Sequence, residues 1–164
     1  ADIASKGQAS IGTRRMTDLE KRLHQAMGSM IGNESLAASL DEDAAGDLFS
    51  WGEATAKRLV EGTDGMDDAA AEEYLAPRLL ALRLMMRAIG RLAGELESLD
   101  IEARLALWDR LGSQARELFG KSYILPPMDE IIAQLPPNAA AQEIVMRLTT
   151  LFDGPKRKGW LDAA

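Results

Sequence analysis

The sequence predicts an all-α protein: a single-domain helical bundle of five to seven helices arranged around one long central helix. Three observations carry this reading. Apolar residues recur at helical spacing in segment after segment, and no run of four to eight residues sustains the strict alternation of a half-buried strand. The chain has 164 residues, 46% of them hydrophobic, enough for one domain to bury a core of its own. No internal repeat, low-complexity tract or linker divides it. Residues 1–13 read as an N-terminal extension without an apolar h-region, 14–154 as the bundle, and 155–164 as a basic C-terminal tail.

The first predicted helix opens at TDLE, where Thr17 can cap the amide of Glu20 and Glu20 can reach back. It carries Leu19, Leu23, Met27 and Met30 on one face, and Gly32 with Asn33 stops it. A second helix starts near SLDE, residues 39–42, another capping-box pattern. Its stripe is Ala45, Leu48, Gly52, Ala56, Leu59 and Val60, with Trp51 on the border. EGTDG, residues 61–65, is a turn by composition. A third helix can start at Asp67, but Pro77 lacks an amide hydrogen and crowds the preceding turn, so a kink or break is expected at Ala76.

From Pro77 to about Ser98 runs the longest uninterrupted helical pattern. Asp100 reads as the cap of the next helix, with Ile101, Leu105, Trp108, Gly112, Ala115 and Phe119 on one face and Gly120 at its end. The pairs Pro126–Pro127 and Pro136–Pro137 bracket one short helix in MDEIIAQL. A last helix, roughly 138–152, buries Ala141, Ile144, Leu148, Leu151 and Phe152 before Gly154 and Pro155 close it.

The stretch RLLALRLMMRAIGRLAG, residues 78–94, raises the functional question, because it sets arginines at 78, 83, 87 and 91 in an otherwise apolar run. At 100° per residue, Arg83, Arg87 and Arg91 fall within a band of about 80°, while leucine, methionine and isoleucine cover most of the remaining circumference. So wide an apolar arc belongs to the central helix of a bundle. The arginines are then either its solvated edge or the rim of an interface. Gly90 and Gly94 lie beside the band, and each costs roughly 1 kcal/mol against alanine in a helix interior, which suggests a close neighbour there. Arg83, Arg87, Gly90, Arg91 and Gly94 are therefore the candidate partner-binding residues. Arg78 and Arg104 fall instead near the middle of their helices' apolar arcs, in first turns. Each either snorkels past the helix end or grips a carboxylate or phosphate, an arrangement the helix dipole favours.

Composition narrows the chemistry. With no cysteine, the chain has no disulfide, no thiolate nucleophile and no cysteine-ligated metal. Its 26 acidic residues outnumber 19 basic ones, for a net charge of −7, which opposes nucleic-acid binding, and the longest apolar stretch is too short and too interrupted for a membrane span. His24 is the only histidine, and no nucleophile motif accompanies it. No phosphate-binding loop or dinucleotide fingerprint is present. DEDAAGD and DGMDD lack the spacing of a calcium loop, the methionines and tryptophans sit at core spacing, and PKRKGW is a short basic tail ending in an aromatic. The expectation is a cytoplasmic, non-enzymatic protein without cofactor or metal. It would act through protein–protein contacts as an adaptor, accessory subunit or assembly factor, with a protein partner or as a homo-oligomer. The alternative is a small-molecule binding domain that holds an anionic ligand through Arg78 or Arg104. Nucleic-acid binding along Arg83, Arg87 and Arg91 comes third.

Overall fold

The computed structural model describes residues 40–152, and the predicted first helix with His24, the N-terminal extension and the basic tail lie outside them. The described residues form five α-helices and no strand. Helix α1 spans Glu42–Glu61, α2 Asp68–Glu95, α3 Ile101–Phe119, α4 Met128–Ile132 and α5 Ala141–Thr150, with a 3-10 turn at Leu96–Ser98.

The three longest helices start by the same device. Asp41, Asp67 and Asp100 each sit in extended backbone, and each carboxylate accepts a hydrogen bond from the amide three residues on, at Ala44, Ala70 and Ala103, over 2.7–2.8 Å. The carboxylate satisfies an amide that has no partner within the helix and complements the positive end of the helix dipole. Asp67 and Asp100 stand where the sequence places them. At the start of α1 the cap is Asp41 rather than a box opening at residue 39, because Asp41 stands one position before the first helical residue, and its carboxylate reaches the Ala44 amide.

Helix α2 continues through Pro77 for 28 residues, so the expected break at Ala76 does not occur. Glu73, Ala76 and Pro77 are all exposed, so the proline sits on the solvent side of α2, where water can replace the amide it lacks. One residue on, the Arg78 guanidinium donates to the Tyr74 carbonyl at 2.9 Å. The last helix starts at Ala141 rather than 138, because Pro136 and Pro137 precede Asn138, whose φ of 58° is left-handed and cannot open a right-handed helix.

Helix α2 is the hub: α1, α3 and α5 all pack against it, and α1 also packs on α5. Leu82, Met85, Met86, Ile89 and Leu92 are at most 1% exposed, as the wide apolar arc predicts. Trp51 is buried in α1 rather than bordering its stripe, and Ala44 replaces the half-buried Ala45 on the inner face. In α3 the inner face is rotated from the expected one. Leu107, Leu111 and Leu118 join Trp108, Gly112, Ala115 and Phe119 inside, whereas Ile101 and Leu105 are exposed.

The connection after α3 returns along the helix. Gly120, with φ of 114°, turns the chain back, and the Trp108 indole donates to the Pro126 carbonyl at 2.9 Å. Leu125 lies against Gly112, within 3.5 Å of where a β-carbon would stand. This segment covers the Trp108–Gly112 side of α3, and Ile101 and Leu105 lie beyond it. Phe152 fixes the end of α5 within an aromatic cluster, with ring centroids 5.7 Å from Phe119 and Tyr123 and 5.9 Å from Trp51. At the other end of α5, Gln142 donates to Asp47 of α1 at 2.9 Å.

Candidate functional site

The solvent face of α2 carries the residues singled out by sequence. Arg83, Arg87 and Arg91 are exposed and stand one turn apart, so about 6 Å of helix rise separates each from the next. Gly94 is exposed at the end of this line, while Gly90 is buried at its edge. The same line begins further toward the N-terminus than the arginines, at Ala76 and Leu80, and Leu80 is 55% exposed. The sequence contained the signal for Leu80, which falls within the arginine band on the helical wheel. The ribbon from Ala76 to Gly94 is about 27 Å long.

Among the described residues its charges are poorly neutralised. Arg91 pairs with Glu95 at 3.2 Å, an exposed contact one turn on, and this is the one ion pair between described residues. Positions three and four away from Arg83 hold Leu79, Leu80, Met86 and Arg87; those around Arg87 hold Arg83, Leu84, Gly90 and Arg91. No acid stands at helical spacing from either arginine. Each instead faces a like charge one turn away, a pairing that costs a few tenths of a kcal/mol in an isolated helix.

Arg78 and Arg104 are differently used, and the structure does not bring them together. Arg78 lies over the Tyr74 ring, 3.9 Å from its centroid, besides bonding the Tyr74 carbonyl. Arg104 belongs to the first turn of α3 but reaches back to the end of α2. Its Nε donates to the Leu96 carbonyl at 3.0 Å and the Leu99 carbonyl at 3.1 Å, and Nη2 donates to Leu96 at 2.6 Å. The place of an anion is thus taken by neutral backbone carbonyls, whose oxygens carry the partial negative charge at the end of the preceding helix, which has no basic residue in its own last turn. About 27 Å of helix rise separates Arg78 from Leu96.

None of these arginines lines either of two surface cavities. One, of 740 Å³, runs between α4 and the outer side of α5, lined by Ile131, Gln134, Glu143, Met146, Arg147 and Leu151 among others. The other, of 580 Å³, lies where the end of α2 meets the loop before α5, and Gly94, Glu95 and Glu97 contribute to it. Among the described residues no cluster of three or more histidine, cysteine, aspartate or glutamate side chains could hold a metal ion, and no helix is long and apolar enough to cross a membrane. Burial pushes the Tyr123 hydroxyl up to about 12, and that hydroxyl donates to the Leu151 carbonyl at 3.3 Å within the aromatic cluster. The chain matches no protein-family model, no curated protein and no solved structure.

Proposed function

We propose that the protein is a non-enzymatic helical module that acts by binding another protein, as an adaptor, accessory subunit or assembly factor, through the outer face of α2. The observation that carries this reading is that Arg83 and Arg87, on the helix that also forms the core, are exposed and have no ion-pair partner among the described residues. A solvated helix face gains from acids placed a turn away from its arginines. Here that compensation is missing from two of the three positions, and an exposed leucine extends the same line. Arginine beside an apolar anchor is the composition that protein interfaces favour. Because α2 is packed on three other helices, the ribbon is held rigid before binding, which lowers the ordering cost of association.

A photo-cross-linking residue at position 87, compared with one at exposed Glu117 on α3, tests the reading in the cells that make the protein. The expected result is a discrete protein adduct from position 87 that position 117 does not give. Matching adduct patterns from the two positions, or none from either, would remove the ribbon as a contact surface.

A further inference from the structure

Resting on that reading, we infer that the partner of the α2 ribbon is an acidic amphipathic helix rather than a second copy of the same ribbon. Three arginines at one-turn intervals present positive charge every 6 Å or so along a rigid axis. A helix laid along α2 meets this spacing when it carries acids at its own i, i+4 and i+8 positions. Each contact is then a charge-assisted hydrogen bond with the planar guanidinium fork, made at Arg91 beside or in place of its Glu95 pair. Leu80 stands one turn before Arg83 and calls for an apolar residue on the partner one turn beyond the acids. The partner's carboxylates would also relieve the repulsion between Arg83 and Arg87 and between Arg87 and Arg91, so binding removes a cost the free protein carries.

Charge argues against the other occupants. A two-fold interface sets a surface against itself, and an antiparallel pairing of two α2 helices centred on position 85, 87 or 89 places arginine opposite arginine. For a nucleic acid, basic residues would have to converge from the neighbouring helix. Outward-facing α3 instead supplies Glu102, Asp109 and Glu117 against Arg110 and Arg116. The chain as a whole is acidic, at −7, so the ribbon is a local positive strip that orients an acidic partner on approach.

The test uses the full chain and three fluorescent probes at about 150 mM salt, where surface charges are already screened beyond roughly 8 Å. The first is a helix-forming peptide with glutamates at i, i+4 and i+8 and a leucine one turn beyond. The second has glutamine at those three positions, and the third is a double-stranded DNA oligonucleotide. The glutamate peptide is expected to bind roughly tenfold more tightly than the glutamine peptide, and the R83E/R87E double variant to lose roughly that factor. The variant should regain binding to a version of the peptide carrying lysines in place of glutamates. Exposed arginines do not hold the fold, and circular dichroism of the double variant checks this; R83Q/R87Q is the milder second variant. Equal binding of the glutamate and glutamine peptides, unchanged binding by both double variants, or tighter binding of DNA would each overturn the inference. So would self-association in sedimentation that R83E/R87E abolishes, since the occupant would then be a second copy. A discrete adduct from position 87 together with any of these failures leaves protein binding in place and removes only the acidic helix.

Discussion

At the scale of single residues, the side chains that looked most like ligand-gripping groups serve the backbone. Arg104 satisfies two carbonyls of the turn that follows α2, those of Leu96 and Leu99, and hydrogen bonds from a charged donor contribute about 1.5–3 kcal/mol each when well formed. Its partial exposure places the effect at the lower end. Arg104→Met, which keeps the stem and removes the donors, should lower stability by about 1–2 kcal/mol in a denaturant titration. An unchanged midpoint would mean that water replaces the guanidinium at no cost. Tyr123 gives a pH signature. Its hydroxyl titrates near 12 in the folded chain against 10.0 when free, because burial disfavours the phenolate. Above pH 10 the unfolded chain therefore gives up this proton first, and stability is lost as pH rises from 10 toward 12. The stability difference between the wild type and Tyr123→Phe should shift against the wild type over that window. Parallel pH profiles of melting temperature would contradict the assignment.

At the scale of elements, the sequence was most legible where a single local interaction decides the outcome. Asp100 could be read as a cap, and Asp67 as a helix start, because a carboxylate at that position needs nothing beyond the next turn. Pro77 was misleading because its effect depends on which way the orphaned carbonyl faces, and that direction is fixed by the packing of α2. The inner face of α3 was likewise set from outside the helix, by its packing on α2 together with Leu125 and Pro126 on the Gly112 side. For the two glycines of α2 the structure separates what periodicity had joined. Gly94 is exposed, so Gly94→Ala should raise stability by about 0.5–1 kcal/mol through better helix propensity and a less disordered unfolded chain. Gly90 is buried, and Gly90→Ala should gain less than Gly94→Ala or lose stability outright. Equal gains in thermal melts would show that the edge of the ribbon has room for a methyl group and is not closely packed.

At the scale of the whole molecule, one hub helix explains both the core and the candidate surface. Met86 is fully buried on the inner side of α2, and Met86→Ala should cost about 2–5 kcal/mol, read as a lowered unfolding midpoint. A midpoint within a few tenths of a kcal/mol of the wild type would remove α2 from the centre. The arginine side of the same helix was visible in sequence because charge and period are local properties. The lack of compensating acids and the place of Leu80 within the arginine band are equally local, whereas the burial of Gly90 depends on which helices pack where. The Arg104 clasp also has a consequence for the order in which the bundle opens. It ties α2 to α3 across only eight residues of chain, while α5 is held to α1 by a contact between residues 95 apart. Local closure of this kind makes the α2–α3 hairpin a cooperative unit that can outlast the attachment of α5. In native-state hydrogen exchange, the amides of α5 should therefore acquire deuterium through a lower-energy opening than those at the centres of α2 and α3, with α5 peeling away before the hairpin parts.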